Sequence, residues 1–517
     1  MMSDFMSALA ERAYWLQPNV SVTENGAVGL RTTGKALLDC NFALSSMRNM
    51  SPDEIWNKFL LAYNENPMLA IFWLFFARDA REGCGERRTF RVIFERFCSE
   101  NPDDAIKLLH LIPFYGRWDD VVEVVFGHVP CKVRDEAIEL LRMQIQSDVL
   151  MANTKQPVSI LGKWMPSGNT SSKETRRRAE FLRNAFGWTP KQYRKNLAGL
   201  RKRIKVVEQK MSANQWSEID YEGVPSRAAM NYRDAFLRHD GDRYDEYLSN
   251  VKEGKAKIHS GVLFPYDIVH AYRSKWDADT TLEEQWKALP NKVPENGSTL
   301  VVVDGSGSMG SLVGNTGVSC HDVARSLGIY FSEKLTGPYK DSFITFSANP
   351  KYVHFHDGLT LAAKLQIMRH HDECSNTNIE KTFDLILDTA VRNHLKQEEL
   401  PANVLIVSDM EFDMATYRGG WEWQSMDSGV VDKALFDVIA ERFSSHGYKL
   451  PRLIFWNVCS RTGTIPVSEN DLGVALVSGF SPNIADMVMS GKLDPYKCLV
   501  DKLLSGRYWQ VEVALKE

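Results

Sequence analysis

Ser298-Thr299-Leu300-Val301-Val302-Val303-Asp304-Gly305-Ser306-Gly307-Ser308 decides how the second half of this chain reads. An apolar, β-branched run stops abruptly at a carboxylate, two glycines and two hydroxyls, as a buried strand does when it enters a tight turn. A helical segment, His321 to Leu335, comes next. Further strand-like runs recur at Phe343 to Phe346, Val404 to Val407, Leu453 to Val458 and Val474 to Val477, with helix-like stretches between them. Strands alternating with helices predict a mostly parallel, doubly wound α/β sheet, in which ligands gather at the carboxyl ends of the strands.

The polar motif falls on that edge. Asp304, Ser306 and Ser308 form a DxSxS pattern, and two further segments join it: Ser375-Asn376-Thr377-Asn378 before the helix Ile379 to Ala390, and the run from Val404 that ends in Asp409. Hard cations take such oxygens, and Mg²⁺ keeps its waters readily, so few direct carboxylates leave a position for a partner's acidic group. The set resembles the metal-ion-dependent adhesion site of von Willebrand factor A domains, with Asp304, Ser306, Ser308, Thr377 and Asp409 matching its five positions in order. Ser375 and Asn376 stand where that family has glycines. The resemblance implies a divalent cation, Mg²⁺, held by Ser306, Ser308 and Thr377, with Asp304 and Asp409 acting largely through water. The alternative is a turn that keeps the motif without the metal. Glu411 and Asp413 either tune the site or solvate a loop, and the second reading is favoured. The segment Arg418 to Gly429, with Trp421 and Trp423, is either a contact surface or an aromatic lid. His354, His356, His370 and His371 have no zinc-ligand spacing.

Upstream, residues 50 to 290 read as successive helices of 10 to 15 residues broken by Pro, Gly and Asn. Ser51-Pro52-Asp53-Glu54 opens one with an N-cap, a proline and an acidic first turn; Asn101-Pro102-Asp103-Asp104 opens another. Helices this short, joined by brief loops, predict irregular stacked pairs of the HEAT sort. A chain of 517 residues exceeds what one core sustains. The organisation expected is a helical-repeat domain over 1–290 and an A-type, Rossmann-like domain over 296–517. The longest apolar stretch, Met68 to Ala77, is too short to span a membrane, and no secretion signal opens the chain. Eight cysteines lie scattered without a CxxC pair. Reduced thiols in an intracellular, cytoplasmic protein are the expectation.

Several segments of the helical half resemble a domain family of unknown function found in plants, fungi and large DNA viruses. They are Phe76-Ala77-Arg78-Asp79 with Gly85-Glu86-Arg87-Arg88; Pro113-Phe114-Tyr115-Gly116-Arg117-Trp118-Asp119-Asp120; Lys163-Trp164-Met165-Pro166-Ser167; Val224-Pro225-Ser226-Arg227; and Lys255-Ala256-Lys257-Ile258. That family is in turn distantly similar to the Ro autoantigen (TROVE) proteins, whose helical repeats form a ring closed by an A domain. The similarity implies binding of single-stranded or small structured RNA, as in a ribonucleoprotein.

Charge distribution supports the same reading independently. The chain carries a net charge of −4, yet Lys155 to Lys205 holds fourteen basic residues against Glu174 and Glu180. Such one-sidedness marks a local polyanion site or, more blandly, a solvated helical face. Arg176, Arg177, Arg178, Lys195, Arg201, Lys202 and Arg203 are the candidate phosphate contacts, with Trp164, Trp188 and Tyr193 interleaved as candidate stacking groups. Gly83 to Arg88 lacks the ending of a phosphate loop and reads as an inter-helix turn, with Arg87 and Arg88 pairing carboxylates. Gly116 to Asp120 reads as a helix cap with Trp118 in the core. The sequence therefore predicts a non-catalytic, monomeric RNA-binding protein with a metal-binding A domain. The rival is a metal-dependent protein adaptor that captures an acidic partner group, and a metal-dependent hydrolase is third.

Overall fold

The computed structural model describes residues 19–272, 278–293, 298–346, 349–371, 378–413, 435–467, 472–485 and 493–516. Two compact units emerge. The first takes residues up to Trp73 and Leu263–Ser505; the second takes Leu74–Val262 and Gly506–Glu517. They do not coincide with the expected segments 1–290 and 296–517.

Among the described residues the first unit has the strands β1 (Ser21–Val22), β2 (Val28–Gly29), β3 (Thr299–Asp304), β4 (Ser342–Phe346), β5 (Lys351–His354), β6 (Asn403–Ser408), β7 (Arg452–Asn457) and β8 (Val474–Ser478). β1 and β2 pair as a short antiparallel ribbon, and the rest form one sheet in the order β5-β4-β3-β6-β7-β8. Every pairing in it is parallel except β4 with β5. β3, β6, β7 and β8 are buried along their whole lengths, as expected of central parallel strands. β5 was not predicted. It exposes Lys351, Tyr352 and His354 and buries only Val353, so it carries no apolar run to read. The helix Cys320–Lys334 lies so close to β3 that a Cβ on Gly328 would sit 2.6 Å from Val303 Cγ2.

Residues 19–49 belong to this unit because they satisfy polar groups at the carboxyl ends of β6, β7 and β8. Leu30 and Ile465 exchange backbone hydrogen bonds of 2.8 and 2.9 Å. Ser45 Oγ donates to the carbonyl of Asn457 at 3.0 Å, and Asn457 Nδ2 donates to the carbonyl of Phe42 at 2.9 Å. Thr23 Oγ1 donates to the carbonyl of Phe412 at 2.6 Å. Buried strand ends left without such partners would each cost about 1–3 kcal/mol.

The second unit is helical. Arg78 and Asp120 make its central buried ion pair, Nε and Nη2 donating to Oδ2 at 2.8 and 2.6 Å, while Arg91 Nε donates to Oδ1 at 2.8 Å. A Cβ on Gly116 would lie 2.6 Å from Asp120 Oδ2, which is why a glycine precedes Arg117. Asp120 also accepts from the Arg117 backbone N–H at 3.0 Å and so caps the helix Trp118–Phe126, with Trp118 buried, as the sequence predicted. Arg87 approaches Asp119 at 3.9 Å. Asp79 takes Arg507 at 2.9 Å and accepts from Tyr508 Oη at 3.3 Å. The basic segment folds into the helices Lys173–Ala185 and Pro190–Arg203, followed by Val207–Ser212. Lys205, in the left-handed region at φ +52°, breaks the last two apart.

Candidate metal centre and nucleic-acid interface

In the sheet, strand order reverses between β3 and β6, so the loops leaving these neighbours diverge and open a crevice at their carboxyl ends. Asp304 ends β3 and Asp409 follows β6. Asp304 Oδ1 accepts from the Ser306 backbone N–H at 2.9 Å and Oδ2 from Ser408 Oγ at 2.6 Å. Ser306 and Ser308 place their hydroxyl oxygens 3.0 Å apart, and Ser308 hydrogen-bonds Asp409. Past Asp409 the chain turns at Met410, a buried residue at φ +64°. A non-glycine residue held there costs on the order of 1 kcal/mol or more, and such strain persists where the surroundings fix it, often at functional sites.

Four of the five expected metal positions are therefore gathered in one place; Thr377 lies outside the described residues, as does Arg418 to Gly429. Burial and then the nearby Asp409 push the Asp304 carboxyl up to about 8, against the bonds from Ser408 and Ser306. Burial pushes Asp409 up to about 6, while the bonds from Ser308 and the Glu411 backbone and the charge of Arg461 pull it down. Two carboxylates that resist ionising together in a pocket of hydroxyls are a donor set that fits a hard divalent cation. Among the described residues no group of three or more His, Cys, Asp or Glu is gathered for a metal, so such an ion would rely on hydroxyls and water.

Glu411 departs from the favoured reading. It does not solvate a loop: fully buried, it accepts from the backbone of Glu24 at 2.8 Å, of Arg461 at 2.7 Å and of Thr462 at 2.9 Å. Asp413 pairs with Gly26 in an isolated β-bridge. Arg461, brought in by the loop after β7, lies 3.6 Å from Asp409 and 2.5 Å from Glu24. Nothing in the sequence motif pointed to it. Cys320 and Cys459 meet at the same edge. The Cys320 S–H donates to Cys459, which raises the Cys320 thiol and holds the Cys459 thiol below its ordinary value, while burial and Asp409 act on Cys459 the other way.

The basic segment folds around a groove of about 1100 Å³ within the helical unit. Lys163, Arg176, Arg183, Arg194 and Arg201 line it, against Glu180 and Glu208. Its walls follow helical stripes, 176-179-180-183 on one helix and 190-193-194-197-198-201 on the next. Of the seven candidate phosphate contacts, only Arg176 and Arg201 line the groove. Arg201 is also a fastener, donating to the carbonyls of Gly162 at 3.0 Å and Met165 at 2.8 Å and to Ser167 Oγ at 2.8 Å. Arg178 is taken by Glu174 at 2.9 Å and Glu123 at 3.0 Å. Arg203 donates to the carbonyl of Lys155, and Arg177, Lys195 and Lys202 are exposed on other faces. Lys163, Arg183 and Arg194 belong to the counted run but were not singled out; applying the 3.6-residue period to the charges would have found the two arginines. Tyr193 is buried and donates to the carbonyl of Pro166 at 2.8 Å, so it is no open stacking platform.

Residues 298–499 match a family described as a domain of unknown function, DUF7788, and residues 170–299 match another, DUF2828. The two matches meet at the start of β3. The chain is 29% identical over 509 residues to "Uncharacterized protein L728" of Acanthamoeba polyphaga mimivirus, covering 92% of this chain and 85% of the viral one. Among solved structures it is similar to the Ro (RSR) protein of Deinococcus radiodurans, at 13% identity and a TM-score of 0.34, with 94% of this chain and 93% of that one covered.

Proposed function

We propose that this is a non-catalytic, intracellular RNA-binding protein that holds the backbone of single-stranded RNA in the basic groove, and that its α/β unit binds Mg²⁺ at the Asp304/Asp409 edge. The observation that carries the reading is the convergence of five cationic side chains from separate segments on one concavity of about 1100 Å³. Cations gathered this way neutralise phosphates and release counterions, giving affinity without sequence preference. The resemblance of the helical half to the Ro group points to the same ligand. The test is binding of labelled single-stranded RNA and of a small structured RNA by the full chain across a salt series, beside K163Q/R183Q/R194Q. With Arg201 left to its bonds within the 162–167 loop, four phosphate contacts predict a loss of roughly 50-fold in affinity between about 50 and about 200 mM salt. Binding that ignores both salt and the triple substitution would sink the proposal.

A second reading is favoured by the buried carboxylate pair. An ion held mainly by hydroxyls keeps a position for an acidic group of a protein partner, which would make the chain a metal-dependent adaptor. Capture of a partner that needs Mg²⁺ and is lost in D304A, with no RNA affinity in the salt series, would favour it.

A further inference from the structure

We infer that Arg461 is a resident counter-cation of the Asp304/Asp409 edge that competes with a divalent ion and is drawn off by Glu24, an assignment that rests on reading this edge as a cation site. The Arg461 guanidinium stands between two carboxylates: Nη2 lies 3.6 Å from Asp409 Oδ2 and 2.5 Å from Glu24 Oε2. One buried group, Glu411, fixes the backbones around it. Its Oε1 accepts from the Arg461 and Thr462 N–H groups at 2.7 and 2.9 Å, and its Oε2 accepts from the Glu24 N–H at 2.8 Å. Its own N–H donates to Asp409 Oδ1 at 3.3 Å. Thr23 and Gly26 hold the rest of the turn to residues 412 and 413. Backbones pinned this way leave the Arg461 side chain, 37% exposed, as the member that moves, beside an Asp409 side chain only 2% exposed.

Charge decides which carboxylate keeps it. Buried carboxylates need a positive partner, and without a metal Arg461 supplies one from the protein itself. Asp409 Oδ1 is given to a backbone N–H, so Oδ2 is the oxygen for which Arg461 and a divalent ion compete. Like charges repel, and in a partly desolvated site the repulsion exceeds its value in water several-fold. Arg461 then turns wholly to Glu24, whose side chain is 55% exposed and receives it without rearrangement of the backbone. The turn at 23–26 thus holds the displaced charge, and residues outside the DxSxS motif set how tightly the edge takes Mg²⁺.

The experiment is calorimetric titration of the full chain with magnesium chloride, beside R461Q, R461K, E24Q, R461Q/E24Q and D304N. R461Q should bind Mg²⁺ roughly 10-fold more tightly, and R461K, which keeps the charge, should stay near the original chain. E24Q should bind roughly 3-fold more weakly, because Arg461 loses its second acceptor, and this loss should vanish in the R461Q background. R461Q and E24Q break the same ion pair, so a merely structural pair would move both in one direction. Both side chains are partly exposed, so neither substitution opens the core. An R461Q no tighter than the original chain, with D304N weakened, would overturn the role of Arg461 and leave the cation site standing. An E24Q loss undiminished in R461Q would overturn the part given to Glu24. D304N binding as tightly as the original chain would sink the cation site and the assignment together. If the original chain gives no measurable heat, binding that emerges in R461Q supports the assignment, and none in either chain overturns it.

Discussion

The strand-end carboxylates and the basic groove both concentrate one sign of charge, yet they were written into the chain differently. Asp304, Ser306 and Ser308 sit within five residues on one turn, and the strand before them aims all three at the same edge. The groove draws Lys163, Arg176, Arg183, Arg194 and Arg201 from three segments, and the helices Lys173–Ala185 and Pro190–Arg203 also carry cations that face elsewhere. A site compressed into one turn is readable as a motif. A site distributed over helices is readable only as a surplus of charge until the stripes are known.

A third concentration of charge, the buried ion pair of Arg78 and Asp120, should give the largest effect of any substitution. Removing one partner of a buried pair leaves the other charge uncompensated, at about 3–5 kcal/mol. Asp120→Ala, which leaves the buried Arg78 guanidinium without its acceptor, should lower the unfolding free energy measured in urea by that much; a loss under about 1 kcal/mol would show the pair to be dispensable. The groove comes next. K163Q/R183Q/R194Q removes three of five cations and should cost roughly 100-fold in RNA affinity at low salt, lowering the salt slope by about 2. A mutant with the slope of the original chain would mean that phosphates lie on another face.

Most of the sheet was legible because parallel strands are buried on both faces and read as unbroken apolar runs. β5 was not, since an edge strand with Val353 alone buried leaves no such run. The place of residues 19–49 against the ends of β6 to β8 was not legible for a related reason: it lies in single hydrogen bonds of Thr23, Ser45 and Asn457, which have no pattern. Glu411 and Arg461 were hidden likewise, because loops of separate strands bring them together. Arg178 and Arg201 looked like ligand contacts from their charge, and their occupation by Glu123, Glu174 and three acceptors of the 162–167 loop is tertiary information.

The carboxylate pair yields a smaller effect with a definite sign. Asp304 and Asp409 have folded-state values raised above the ordinary 3.8, to about 8 and about 6. The folded chain therefore holds these protons more tightly than the unfolded one, and the stability they contribute, complete below pH 4, is lost as pH rises through 6 and then 8. Without divalent ions the melting temperature should fall by several degrees between about pH 5 and about pH 8. D304N should flatten the fall, and millimolar Mg²⁺ should reverse it at pH 8 in the original chain but not in D304N. If Mg²⁺ moves both chains equally, the cation binds elsewhere.

The smallest effect discriminates best between a groove and a mere surplus of charge. Arg194 and Lys202 lie on the same helix, both exposed, but only Arg194 lines the groove. A diffuse basic surface would treat the two alike, since a strand ranging over it meets either cation equally, and each is felt only within about 8 Å at about 0.15 M salt. A strand seated in the groove would not. R194Q should weaken binding several-fold and lower the salt slope by about 0.7, the share of one phosphate, while K202Q should change affinity by less than about 2-fold and leave the slope alone. Equal responses would mean that the helical stripe is irrelevant and that the fourteen basic residues act only through their sum.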